Sequence, residues 1–195
     1  GFALGPRAAS RGYRLLAYDT IGSTSSEAGE AARRGDVGDV WVVAHRQTAG
    51  RGRRGRAWES PEGNLAASLL VVPEADPTVT ATLGFVAGVA LEDALSRLAT
   101  GLTLRTGIDG ADGRRSRVAL KWPNDVLADG AKLAGILLEA HKRPDGSLAV
   151  VAGFGVNVVA APEGLPYPAT SLAALGLSVT AEEVFAALAD SWIDA

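Results

Sequence analysis

The chain has neither cysteine nor methionine in 195 residues. Without thiols it can form no disulfide and no thiolate metal site, and it suits a reducing compartment, so a cytoplasmic location is expected. With methionine absent and glycine at position 1, the chain is expected to be a piece of a longer protein. No run approaches the roughly 20 apolar residues of a membrane span, so no membrane partner is expected. The N-terminal residues lack the basic segment and apolar stretch of a secretory leader. There is no internal repeat and no linker long enough to divide the chain. With 47% hydrophobic residues, it can bury one ample core, and residues 1–195 are expected to be a single domain.

The most informative stretch present is 46–58, Arg-Gln-Thr-Ala-Gly-Arg-Gly-Arg-Arg-Gly-Arg-Ala-Trp, with five arginines, three glycines and no acid. Glycine lets backbone approach a ligand closely, and the arginine fork matches carboxylate and phosphate oxygens. A loop of this kind is suited to holding an anion. The chain's formal net charge is −3, so without these five arginines the rest would stand at −8. Proteins that hold nucleic acid usually spread lysine and arginine over a whole face. One basic loop on an acidic body instead favours a focused site for a small anion, although a merely solvated loop is the plainer alternative.

Hydrophobic patterning predicts alternating strands and helices. Strands are expected at 12–18, 40–44, 65–72, 118–122, 132–141 and 147–158. Thr24 and Glu27 have capping-box spacing and should open a short helix ending near Gly35. Residues 78–99 read as a long helix, apolar nearly all round and therefore buried. Thr180 and Glu183 form a second capping box, placing Val184, Leu188 and Trp192 on one stripe. Asp129-Gly130 and Pro144-Asp145-Gly146 supply turn chemistry, and 107–117 reads as an exposed loop. The class is α+β, with a mixed, mostly antiparallel sheet flanked by helices.

Three further clusters carry chemistry. In Lys121-Trp-Pro-Asn-Asp125, proline ends the strand and presents Asn124 and Asp125. Asn124 could read a nucleobase edge, and Asp125 could bind Mg²⁺ or accept an amine proton, while a bare turn is the plainer reading. In Lys132-Leu-Ala-Gly-Ile-Leu-Leu-Glu139, strict alternation puts Lys132 with Ala134 on one face and Leu133 with Gly135 on the other, unless a bulge intervenes. In Gly153-Phe-Gly-Val-Asn157, the glycines read most simply as close backbone packing.

Taken in order, these four motifs closely resemble the catalytic core of biotin protein ligases, from about Tyr18 to the C-terminus. The resemblance implies a fold related to class II aminoacyl-tRNA synthetases and a two-step reaction. Biotin and ATP, with Mg²⁺, would give biotinyl-5′-adenylate, which then biotinylates a lysine on a biotin carboxyl carrier domain of a biotin-dependent carboxylase. It also implies that Ser23, Thr24, Gln47, the Gly50-Arg51-Gly52 backbone and Gly135 surround biotin. Arg53 and Lys132 would hold its carboxylate and then the adenylate phosphate. Trp58, Lys121, Asn124 and Asn157 would meet the nucleotide, with Arg53. Asp125 would assist Mg²⁺ or the incoming amine, making Arg53, Lys132 and Asp125 the catalytic set. Residues 50–58 would be a lid that closes over the adenylate.

This chain departs from the family pattern in having Ser25 where an asparagine is usual, and Ala44-His45-Arg46 where an acid commonly precedes Gln47-Thr48. His45 is assigned no catalytic part. The family's C-terminal SH3-like barrel and N-terminal DNA-binding segment are both expected to lie outside this stretch, so no nucleic acid partner is expected. Related ligases occur as monomers and as homodimers, and either is compatible with the sequence. The alternatives are a lipoate or octanoate ligase of the same superfamily and a non-catalytic biotin binder.

Overall fold

A computed structural model describes residues 1–74, 82–99, 106–107, 118–121 and 125–195. In chain order the elements are α1 (Pro6–Ser10), β1 (Arg14–Ile21), α2 (Thr24–Arg33), β2 (Val40–Gln47), β3 (Leu65–Val71), α3 (Leu83–Leu98), β4 (Thr106–Gly107), β5 (Val118–Lys121), β6 (Asp125–Ala128), β7 (Ala131–Lys142), β8 (Leu148–Val156) and α4 (Ala181–Asp194). The strands form one eight-stranded sheet in the order β1-β2-β3-β8-β7-β6-β5-β4. The pairs β1/β2 and β4/β5 are parallel and the others antiparallel, as the α+β reading expects.

The continuous apolar runs at the sheet's centre follow from coverage of both faces. On β2, Val40 and Val42 pack with Ala28, Ala31 and Ala32 of α2. Trp41 and Val43 face the other way, into the main core with Leu91 and Leu95 of α3 and Phe185 and Leu188 of α4. Trp41 is the largest fully buried side chain among the described residues, and it meets Phe185 edge-on with ring centroids 5.5 Å apart. Small residues along α2 keep it close to the sheet. At Gly29 an added Cβ would meet the His141 ring at 2.7 Å.

The α4 capping box forms as expected: the Glu183 N–H donates to Thr180 Oγ1 at 3.2 Å, and the Thr180 N–H donates to Glu183 Oε2 at 2.8 Å. At α2 the cap lies one residue earlier than expected. Ser23 has extended backbone and accepts from the Ser26 N–H, while Thr24 is already helical with its hydroxyl turned inward. Glu27 pairs with Arg34 instead of completing a box. The long helix is described from Leu83, residues 75–81 lying outside the described residues, and its burial is one-sided. Phe85 and Val89 are 50% and 49% exposed, one turn apart.

Two differences from the expected strands bear on the site. Asp125 does not end in a turn but opens β6, which lies between β5 and β7. The Asp129-Gly130 turn then joins β6 to β7, both residues at positive φ (49° and 81°). Val126 pairs with Ala134 but the next residue, Leu127, pairs with Lys132, so Leu133 is an extra residue in β7. This β-bulge breaks the alternation that would separate Lys132 from Gly135. The 108–117 part of the expected exposed loop lies outside the described residues, and Thr106–Gly107 pair in parallel with β5. No helix among the described residues is long and apolar enough to cross a membrane.

Candidate active site

On the α2 face of the sheet, a cavity of about 260 Å³ lies between the first turn of α2, the glycine-bearing middles of β7 and β8, and the arginine loop. The loop is a small hairpin. Arg51 bridges Ala57, the Gly52 N–H donates to the Arg56 carbonyl at 2.8 Å, and the Trp58 N–H donates to the Gly50 carbonyl at 2.9 Å. Its tip takes left-handed backbone at Arg54 and Gly55 (φ 56° and 72°). Gly50 is backed directly against the Trp58 carbonyl, which leaves no room for a Cβ.

The floor explains the other glycines. Gly135 and Gly155 are register partners on β7 and β8. A Cβ on Gly135 would meet the Trp58 indole at 2.9 Å, and one on Gly155 would overlap the same ring. The packing reading of the glycines therefore holds, and what packs there is Trp58. Lys132, brought to this face by the bulge, places Nζ 5.3 Å from the Trp58 ring centroid and 5.4 Å from that of Tyr167. Both are within cation–π range. Its ammonium also pairs with Asp125 Oδ1 at 3.0 Å.

The inner end of the cavity is polar and buried. Gln47 Oε1 accepts from the Thr24 N–H at 2.8 Å and from the Thr24 hydroxyl at 3.1 Å, and Gln47 Nε2 donates to Ser60 Oγ at 3.2 Å. Behind Thr24 lies Ser68 of β3, fully buried, 2.8 Å from Thr24 Oγ1 and 3.1 Å from Ser25 Oγ. On the far side of Trp58, a smaller cavity is lined by Asn157, Lys132, Tyr167 and Leu165. Asn157 is 2% exposed and donates from Nδ2 to the Thr170 carbonyl at 3.1 Å, but its Oδ1 is buried without a partner.

The expected site residues divide as follows. Thr24, Gln47, Arg51, Gly52 and Arg53 line the main cavity, as do Trp58, Asp125, Lys132 and Gly135. Gly50 supports the loop from behind, and Asn157 belongs to the adjoining smaller cavity. Ser23 lines neither, because its hydroxyl caps α2. Lys121 is exposed beside Asp125 at the strand edge, and Asn124 lies outside the described residues. The loop arginines are not equivalent: Arg51 is ion-paired with Glu139 of β7. The Arg53 side chain makes no hydrogen bond or ion pair among the described residues and remains available to a ligand. His45 is remote from the cavity, stacked on Phe2 with centroids 4.5 Å apart.

Sequence reasoning missed Ser68, Tyr167 and Glu139. Ser68 did leave a signal, being the one polar residue in the apolar run 65–72. A buried hydroxyl in a strand core must find a partner. Tyr167 gave none, since it lies in an irregular segment.

Residues 37–157 match the model of the Biotin/lipoate A/B protein ligase family. The chain belongs to this family. Among relatives, a biotin–[acetyl-CoA-carboxylase] ligase of Paracoccus denitrificans is 47% identical over 72% of this chain and 53% of its own length. The enzyme of the same name from Mycobacterium tuberculosis is 38% identical over 87% of the chain and 59% of its own. The chain thus spans about half the length of the curated relatives it matches. Among solved family structures, the Aquifex aeolicus biotin protein ligase in complex with biotin and ATP superposes with a TM-score of 0.71 at 29% identity, covering 93% of this chain and 69% of that one. The Leishmania major ligase in complex with biotinyl-5-AMP gives 0.71 at 28% identity, covering 93% and 74%. The family's α+β fold, with its mixed sheet and flanking helices, is that of this chain.

Proposed function

We propose that this chain carries the catalytic core of a biotin protein ligase. Biotin's carboxylate attacks the α-phosphorus of ATP, forming biotinyl-5′-adenylate and releasing pyrophosphate. A lysine amine of a carrier domain then displaces AMP to form the amide. The observation that carries the reading is one cavity joining a buried hydroxyl end, at Thr24 and Ser25, to a cationic end with Lys132 and Arg53. A bicyclic ureido acid has that polarity, with hydrogen-bonding groups at one end and a carboxylate at the other.

The chemistry requires both ends. A carboxylate approaching a polyphosphate brings anions together, and fixed cations aimed at the developing charge lower that barrier. Arg53, free of any protein partner among the described residues, is the group that can move with the charge. Lys132 is held by Asp125, which keeps the ammonium in place and is itself within reach of an incoming amine proton. Asn157 lines the smaller cavity beside Trp58, where the base of the nucleotide would lie. Among the described residues no three His, Asp or Glu side chains cluster to hold a metal. Mg²⁺ would enter with the nucleotide, held mainly by its phosphates, and would neutralise part of their charge.

The partner is a biotin carboxyl carrier domain, and the cytoplasm, where ATP is available and thiol-free composition is unremarkable, is the compartment proposed. The decisive experiment incubates the protein with ATP, Mg²⁺ and either biotin, lipoate or octanoate, and measures acyl-adenylate and pyrophosphate. Biotinyl-adenylate is expected. Product from lipoate or octanoate and none from biotin would overturn the reading, and binding of biotin with no pyrophosphate would identify a non-catalytic binder.

A further inference from the structure

We infer that Ser68, which does not line the cavity, sets the polarity of its inner end and so selects acids whose far end carries N–H donors. The inference rests on the proposed biotin activity and deepens it. It follows from counting protons along the hydroxyl chain. Gln47 Oε1 can only accept, and its orientation is set by the Thr24 backbone N–H at 2.8 Å. The Thr24 hydroxyl proton is therefore the one shared with Gln47 at 3.1 Å. Thr24 has no second proton, so Ser68 donates in the 2.8 Å contact between them. Ser68 has then spent its own proton, and Ser25 must donate to it across 3.1 Å.

The relay runs in one direction, Ser25 to Ser68 to Thr24 to Gln47. Every hydroxyl proton is held inside the wall. What Thr24 and Ser25 show to the cavity is lone pairs, since both line it while Ser68 is fully buried. A ligand with N–H groups satisfies them. A dithiolane or hydrocarbon end leaves two buried acceptors unpaired, and sites built to pair a polar group reject the analogue that lacks it. Ser25 also sits close to the sheet, since a Cβ on Gly153 would meet Ser25 Oγ at 2.8 Å.

Breaking the relay at Ser68 frees the Ser25 proton to turn toward the cavity and removes the donor that orients Thr24. In Ser68→Ala the KM for biotin should rise on the order of 10-fold, the worth of about one well-placed hydrogen bond. The KM for ATP and the kcat for adenylation should stay near wild type. Desthiobiotin, which keeps the ureido N–H groups but lacks the thioether ring, should weaken in parallel with biotin, whereas lipoate should not weaken. Ser68→Cys, close in volume and a weak donor, should fall between and guards against a folding failure in the alanine variant.

A purely structural role would lower thermal stability and weaken all three acids alike, and that result would overturn the inference. So would an unchanged biotin KM in both variants. If the wild-type protein itself shows no preference for biotin over lipoate, the proposed function fails and this inference with it. If wild type prefers biotin and Ser68→Ala retains the full preference, only the inference fails.

Discussion

Arg51, at the base of the arginine loop, is ion-paired with Glu139, near the far end of β7. This pair ties the loop to β7 over the cavity, and Glu139 reaches it because it shares the cavity face of β7 with Gly135 and Leu137. Among the described residues Arg53, Arg54 and Arg56 make no ion pair, and all three are exposed.

If the pair latches the loop, Glu139→Gln should speed tryptic cleavage at Arg51, Arg53, Arg54 and Arg56 by about 2- to 5-fold without ligand, the range for a partly exposed pair. Raising the salt concentration should narrow the difference, since screening weakens the wild-type pair as well. Equal cleavage rates at low salt would show that the pair does not hold the loop.

Lys132→Met and Arg53→Ala should each lower the adenylation kcat by roughly 10²- to 10³-fold, the loss seen when one charge-stabilising group is removed. Arg53 is exposed, so its variant should keep wild-type thermal stability. Pyrophosphate release in a single turnover checks both. A near-normal rate in either would remove that residue from the chemistry.

Gly155→Ala places a methyl group where the Trp58 indole lies. Overpacking of this kind should cost about 1–3 kcal/mol in chemical denaturation and displace the ring. Because Trp58 lines both cavities, ATP binding should suffer along with stability. An unchanged midpoint would mean that the ring is not held against the glycine floor.

His141 gives a pH dependence of stability. Burial pushes its pKa below the ordinary 6.5, opposed by Glu139 and reinforced by Arg33 and Arg51, with Glu30 a weaker opposing charge. Arg33 can only donate, so Nδ1 accepts from it at 3.1 Å and the proton sits on Nε2, which is buried without a partner. The unfolded chain therefore binds the proton more readily. The contribution is complete above pH 6.5 and is lost as the pH falls from there through the folded-state value. Denaturation midpoints measured from pH 7.5 down to 5 should decline less in His141→Gln than in wild type, and parallel curves would contradict this.

Thr180→Ala removes one half of the α4 capping box and should cost about 1 kcal/mol, seen as a lower denaturation midpoint at unchanged slope. The same helix is also held by burial of Val184, Phe185, Leu188 and Trp192.

Much of the fold was legible because the central strands are buried on both faces, and the runs 40–44 and 65–72 register that directly. The α4 cap was legible because its box is local. At α2 the same rule misplaced the cap by one residue: both Ser23 and Thr24 are capping types, and only the packing of Thr24 against Gln47 and Ser68 decides which turns inward. β6 was missed because four residues after a proline look like a turn until β5 and β7 are present to pair with them.

By itself the sequence determined the parts: a basic, glycine-bearing loop on an acidic body, a Lys132 motif, strands of matching length, and the family to which their order points. The tertiary structure decided how those parts act. A one-residue bulge at Leu133 turned Lys132 onto the same face as Gly135, which no strand periodicity can foretell because the extra residue is defined only against its partner β6. The paired glycines became a seat for Trp58 only when β7 and β8 came into register. Of five arginines with the same chemistry, Glu139 took Arg51, while Arg53 lines the cavity with no ion pair among the described residues. Charge identity is written in the chain, but which charge is spent within the protein depends on what the fold sets beside it.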